Sequence, residues 1–424
     1  MFKKIIQIWK IKDLRKSILF VLAMLVIFRI AAQIPIPGVD SEALKSLFQG
    51  NQLLGLMNIF SGGSMQNFSV VMLGIAPYIT SSIIFQLLTM VIPKLEELSK
   101  EGDYGRQKIN QWTRWLTVPL AFMQSFAMIT LLRQSAANVL PDFTSWNMIT
   151  AMITITAGTV FLMWIGELIS EKNIGNGISL LIFAGIISGL PTSVGSMLYT
   201  YDSTQIINII VFAIIAVVTI IGVVIITEGQ RNIPVSYARR VRGNKVYGGV
   251  DTHLPLRVNQ AGVIPIIFAI AIIMFPPMIA QLFLRVKSAW IVSASEWVIQ
   301  MFQNQLFYGI SYFVMVVAFT YFYTAVIFHP DQIAENLQKQ GGFVPGIRPG
   351  KNTASYLQKI VTRIVFTGAL FLGIIAVLPI ITAQLTNTQS MVVGGTSLLI
   401  IVSVVIEMVN QINAQLSMRD YEEI

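Results

Sequence analysis

About ten stretches of seventeen or more residues run almost free of Lys, Arg, Asp and Glu, and short polar loops separate most of them. A helix needs about 20 mostly apolar residues to cross roughly 30 Å of hydrocarbon. It can do so because its backbone hydrogen bonds close within the segment. The stretches are Ser17–Ile34, Val71–Ile92, Trp112–Leu132, Met148–Ile169, Ile178–Met197, Ile206–Thr227, Asn259–Leu284, Leu306–Phe328, Ile360–Ala383 and Met391–Asn410. The pattern predicts an all-α membrane protein with ten transmembrane helices.

Composition agrees. Charged residues make up 12% of the chain, against about 25% in soluble domains. A soluble reading would need a core larger than 424 residues can build. There is no cysteine, which excludes disulfides, thiolate metal sites and Cys nucleophiles. The two histidines, His253 and His329, are too few for a His-based metal centre. No metal or cofactor is expected.

The basic residues are distributed unevenly. With ten spans both termini share one side, and 24 of the 29 Lys and Arg lie in or beside its segments. The positive-inside rule makes that side cytoplasmic. The basic start followed by an apolar run does not read as a cleaved secretory signal. The run is long, carries Arg29, and lacks a small-x-small site before the Pro35–Gly38 turn. Residues Phe2–Leu14 read instead as an interfacial amphipathic helix, with Phe2, Ile5, Ile6, Ile8, Trp9 and Ile11 as its apolar set.

Three segments are neither spans nor ordinary loops. Between Gly38 and Val70 the chain begins polar, turns apolar over Leu53–Phe60, then reads Ser61-Gly62-Gly63-Ser64. Its apolar piece is too short to span. It is either a short helix folded back into a pore or a helix lying flat on the outer surface. The other two are long loops on the cytoplasmic side, Glu228–Val258 and His329–Lys359. One carries Arg239, Arg240, Arg242 and Lys245, and the other carries Arg348 in a Gly/Pro-rich run. Such composition suits exposed hairpins with a fixed tip. Basic tips bind acidic protein, RNA phosphates or anionic lipid, or serve only as an orientation signal.

The interior lacks the groups that drive coupled transport. Glu167, Glu228 and Glu407 sit near the cytoplasmic ends of their spans, and no acidic residue falls near a span centre. Proton or sodium coupling is therefore poorly supported, which weakens a secondary transporter of small solutes, the alternative function. Arg29 lies near the outer end of the first span and is expected to snorkel. No nucleotide-binding Gly-rich loop and no protease motif occurs. Uncharged polar residues are present instead: Thr80, Ser81, Ser82, Gln86, Gln124, Asn259 and Gln260. They read either as glue between helices or as a seam that parts.

Several segments, in order along nearly the whole chain, resemble one family, the SecY-type protein-conducting channel. They are Phe28-Arg29-Ile30, Ile34-Pro35-Ile36-Pro37-Gly38, Phe60-Ser61-Gly62-Gly63, Leu73-Gly74-Ile75-Ala76-Pro77-Tyr78-Ile79 and Gly175-Asn176-Gly177-Ile178-Ser179. Further on come Thr252-His253-Leu254-Pro255-Leu256, Ala261-Gly262-Val263-Ile264-Pro265, Phe343-Val344-Pro345-Gly346-Ile347-Arg348-Pro349-Gly350 and Gly394-Gly395-Thr396-Ser397-Leu398-Leu399-Ile400.

The resemblance implies a passive channel and not an enzyme. Its two pseudo-symmetric five-helix halves surround a central pore, here residues 17–200 and 201–412 between an amphipathic start (1–16) and a tail (413–424). By motif, Ile75, Ile79, Ile178, Ile182, Ile267 and Ile400 form the pore ring. Residues 58–70, with Phe60, Ser61, Gly62, Gly63 and Ser64, form a plug helix whose glycines suit a weakly packed, mobile element. Thr80, Gln124 and Asn259 form the polar cluster of a lateral gate between spans two and three and spans seven and eight. Arg239, Arg240, Arg242, Lys245 and Arg348 dock a motor and the ribosome, although Asn244 stands where a second basic residue is common. The implied partners are SecE-type and SecG-type small membrane subunits, the SecA motor ATPase, the ribosome, signal sequences, translocating polypeptides and anionic lipids. The implied location is the bacterial plasma membrane.

Overall fold

The structure, a computed structural model, describes residues 9–50, 58, 61–134, 139, 144–199, 206–237, 240–242, 245–247, 252–284, 286, 288–386 and 395–420. Most of the N-terminal amphipathic segment and the end of the tail fall outside them. Helices occupy all ten apolar stretches. In chain order they are α1 (Lys12–Ala31), α3 (Ala76–Val91), α5 (Asp103–Gln134), α6 (Ser145–Ser170), α7 (Gly177–Tyr199), α8 (Ile206–Glu228), α9 (Ile264–Phe283), α11 (Gln305–Ile327), α13 (Lys351–Thr386) and α14 (Gly395–Asp420). Shorter helices stand between them: α2 (Ser41–Gly50), α4 (Pro93–Lys100), α10 (Ala289–Gln303) and α12 (Pro330–Lys339). By length and hydropathy alone, six described helices suffice for a crossing, and α3 with α4 makes a seventh as a pair bent by 103°.

Two span boundaries differ from expectation. The second span does not begin as helix at Val71. Gly74 takes φ +56°, Ile75 caps the helix, and Pro77 sits in its first turn. Proline is preorganised there and its missing N–H costs nothing. At 16 residues α3 is about 24 Å long, shorter than the roughly 30 Å of hydrocarbon. The seventh span is helical only from Ile264, because Gly262 at φ +63° turns the chain and Pro265 starts the helix.

The spans pack as two groups. Among α1, α3, α5, α6 and α7 the principal contacts are α3–α5, α5–α6, α6–α7, α1–α6 and α1–α7. Among the later spans they are α11–α13, α9–α11, α8–α14, α13–α14 and α8–α13. Between the groups, α9 lies against α3 and α5, and α14 lies against α7. A single apolar cluster runs across both of these junctions.

The two long basic loops are joined. Strands β1 (Gln230–Tyr237) and β4 (Thr252–Arg257) pair antiparallel, and β1 also pairs with β5 (Gly342–Phe343) from the second loop. The hairpin β2 (Arg240–Arg242) and β3 (Lys245–Tyr247) forms the tip of the first loop. The second loop is not a hairpin: it is α12 followed by β5 and a turn. Helix α13 has 36 residues, about 54 Å, so its first turns stand beyond the bilayer. There Leu357, Ile360 and Val361 pack with Ile233, Leu256 and Val344 in a separate core under the sheet.

Close helix contact explains one motif glycine. A Cβ at Gly177 would overlap the carbonyl oxygen of Gly166 on α6. Replacing Gly177 with Val should separate α6 from α7 and destabilise the protein by about 1–3 kcal/mol, the usual penalty of overpacking. A melting temperature in detergent equal to that of the unchanged chain would contradict this contact.

Candidate functional site

The six isoleucines singled out in the sequence lie on four helices. Ile75 is the cap of α3, and the Ile79 N–H donates to its carbonyl at 3.1 Å. Ile178 and Ile182 are one turn apart on α7. That helix starts where it does because the Asn176 carboxamide oxygen accepts from the N–H groups of Ile178 (3.0 Å) and Ser179 (3.3 Å). Ile267 lies on α9 and Ile400 on α14. Ile75, Ile182, Ile267 and Ile400 are buried in the cluster that joins the two helix groups, and Ile79 and Ile178 pack against it. A wall of this kind offers water no partners, and an ion crossing it must shed its hydration shell.

Just before α3, Asn58 is helical but 61–75 is a succession of turns, so the expected plug helix does not run through these residues. The physical reason is backbone handedness. Gly62 (φ +72°), Gly63 (φ +78°), Phe68 (φ +45°) and Gly74 (φ +56°) are left-handed, and a right-handed helix cannot run through them. Phe60 lies outside the described residues. Local hydrogen bonds hold the run together. The Ser64 hydroxyl lies 2.7 Å from the Ser61 carbonyl and 3.0 Å from that of Val71, and it shares its one proton between them. Asn58 donates its amide to Gln66 Oε1 at 3.0 Å, and the Gln66 N–H donates back to Asn58 Oδ1 at 2.9 Å. The far end is strapped to the chain after α1: Ile36 N–H donates to Phe68 O at 2.9 Å, and Val70 N–H to Ile34 O at 3.0 Å.

The packing of this run is tight rather than weak. Ser61 and Ser64 are buried. A Cβ at Gly62 would lie 2.8 Å from Gly185 Cα on α7 and 3.0 Å from the Phe28 ring on α1. Gly63 does have open space beside it, so only one of the pair serves close approach. Gly185 is three residues past Ile182, so Gly62 seats about 4.5 Å along α7 from that isoleucine. It lies on the side away from the basic loops. Arg29 also departs from expectation. Its Nη1 turns inward and donates to the Gly62 carbonyl at 2.6 Å.

The seam residues are engaged locally. Thr80 donates its hydroxyl to Ala76 O at 3.0 Å within α3, and Asn259 donates to Gly262 O at 3.2 Å within its own turn. Gln124 is buried on α5. Among the described residues no hydrogen bond links these three to one another. Asn259 Oδ1 and Gln86 Oε1 are buried with no partner. Ser81, one of the polar residues read as glue between helices, does act so: its hydroxyl donates to Thr113 O at 2.7 Å and holds α3 to α5. The acidic residues stay near the basic-loop end, where Glu167 pairs with Arg114 at 2.6 Å and Glu228 accepts from Asn410 at 3.0 Å.

On the basic side, Arg239 lies outside the described residues. Arg240 sits opposite Tyr247, and Arg242 opposite Lys245, in the β2–β3 hairpin. Arg348 is exposed on a turn whose shape is set by Gly346 (φ +82°) and Gly350 (φ +93°). Thr353 donates to the Arg348 carbonyl at 2.9 Å, which fixes the turn to the start of α13. On α12 the exposed Glu335 pairs with Lys339 at 2.8 Å, and that lysine holds its carboxyl below the usual carboxylate range.

Comparison with known proteins covers the same ground. The SecY family model matches residues 69–409. The chain is 43% identical to the protein translocase subunit SecY of Halalkalibacterium halodurans, over 100% of this chain and 99% of that one. It is 46% identical to the SecY subunit of Corynebacterium glutamicum, over 99% and 98%. Among solved structures, a protein-conducting channel superposes with a TM-score of 0.63 at 19% identity, over 93% of this chain and 91% of the other. A SecY protein whose plug domain stabilises the closed state of its translocation channel and maintains a membrane seal superposes equally well. Sec61 in the canine ribosome–channel complex gives a TM-score of 0.61 at 18% identity, with the same coverage. The chain belongs to the SecY family: it is an all-α, multi-pass membrane protein that forms a protein-conducting channel and is not itself an enzyme.

Proposed function

We propose that this chain is the central conduit of a plasma-membrane translocase, sealed at rest by Ile75, Ile79, Ile178, Ile182, Ile267 and Ile400. The observation that carries the reading is that four of them belong to, and two pack against, one apolar cluster that spans the junction of the two helix groups. β-Branched side chains present no hydrogen-bonding group to a passing polypeptide, so the seal yields without binding what it passes. Residues 58–70 are the plug, seated on the side of the ring away from the basic loops. The α3/α5 junction with α9 is the lateral gate, through which apolar segments leave for lipid according to their hydrophobicity.

Both termini and the sheet-bearing loops face the cytoplasm, in keeping with the positive-inside bias. The β2–β3 hairpin and the Arg348 turn form one platform, since β1–β5 pairing ties the two loops together. It receives a SecA-type motor and the ribosome, and contacts to ribosomal RNA weaken with salt. SecE-type and SecG-type subunits clamp the exposed flanks of the spans, and anionic lipids meet the basic N-terminal segment.

Two measurements test this. Deleting residues 58–70 should raise resting ion conductance in planar bilayers; unchanged conductance would count against both plug and pore. Arg348→Glu should cut motor-driven secretion at least about tenfold, a like-charge reversal at a docking contact being worth several kcal/mol, while resting conductance stays low. Secretion at the normal rate would remove the docking role from this turn.

A further inference from the structure

The geometry points to Arg29 as the latch that holds the plug in its closed seat. This inference rests on reading residues 58–70 as the plug. Gly62 is the point of closest approach between that run and the wall, because no side chain fits between it and Gly185. Its carbonyl is buried with it, and a buried carbonyl needs a donor. Arg29 Nη1 is that donor, at 2.6 Å. Among the described residues this is the only hydrogen bond reaching residues 61–64 from outside 58–72. The other bonds of the run are internal, like those of Ser64 and of Asn58 with Gln66, or lie at its far end, like Asn67 with Gln33.

The latch is fixed to the wall and not to the plug. Arg29 occupies the last turn of α1, where a guanidinium complements the carbonyl end of the helix. Its neighbours Phe28, Ala31 and Ala32 are buried in the same cluster as Ile75 and Ile182. A charge-assisted hydrogen bond from a rigid wall to a backbone carbonyl favours one seat and does not depend on the plug's side chains. Withdrawal of residues 61–64 from the wall breaks this bond while the strap at 67–70 can stay, so the contact raises the threshold for opening. Arg29 is a positioning residue, acting on the pore through Gly62.

The test uses the full chain with its membrane subunits in planar bilayers, reading resting conductance per channel. Loss of such a bond shifts a closed–open equilibrium about tenfold or more. Arg29→Met should therefore raise resting conductance by that factor towards the level of the 58–70 deletion, and Arg29→Lys should fall between. A second variant separates release of the plug from general damage. Arg29→Met added to the 58–70 deletion should leave conductance at the level of the deletion alone, because Arg29 acts on the pore only through that run. If Arg29→Met stays tight while the deletion leaks, the latch is overturned and the plug reading survives. If the deletion itself does not leak, the plug reading fails and the latch with it. A double variant that leaks more than the deletion alone overturns the latch as well.

Discussion

Everything in this molecule depends on where backbone is allowed to leave helical geometry inside a bilayer. In hydrocarbon an unpaired N–H or C=O costs several kcal/mol, so irregular chain survives only when protein encloses it. The run 61–75 meets that condition through its own turns, through Ser64, and through the strap to residues 34–36. This run leads directly into α3, whose helix begins only after Ile75. Its cap, Ile75, and Ile79 beyond it fall in the cluster between the two helix groups. A continuous helix from Val71 would have placed these side chains on an ordinary span and left no seat for Gly62.

The same logic separates the two sides of the protein. On one side the spans are topped by short segments and by α2 and α10. On the other, α13 projects beyond the bilayer and carries a small core of Leu357, Ile360 and Val361 under the β4–β1–β5 sheet. The sheet joins the two basic loops through the pairing of β1 with β5. The Arg348 turn is tied to the first turn of α13 through the Thr353 hydroxyl, and α13 packs against α8, α11 and α14.

Much of this was legible in the sequence, for reasons that are specific. Spans are read from the absence of charge, and all ten stretches carry helices. Asn176 and Pro77 mark helix starts by local chemistry alone. What escaped detection was long-range. Pro234 disguised β1, although Ile233 and Val235 alternate with polar residues as a half-buried strand does. Pairing of β1 with β5 joins residues about a hundred positions apart, and no local pattern encodes it. The glycine pair suggested looseness, yet Gly62 is a close-approach residue whose partner, Gly185, is far off in sequence. Arg29 was expected to reach for water because its acceptor, a backbone carbonyl, has no signature in the sequence. Helix α10 went unread because it is amphipathic but too short to span.

The central claim is that an apolar collar, by refusing water, keeps ions out of a path wide enough for a polypeptide. The most direct measurement is the resting conductance of the reconstituted channel with Ile75, Ile79, Ile178, Ile182, Ile267 and Ile400 all replaced by serine. Hydroxyls at those positions would wet the constriction, and the account predicts a large, steady ion leak with the plug still present. A bilayer as tight as that holding the unchanged protein would contradict it.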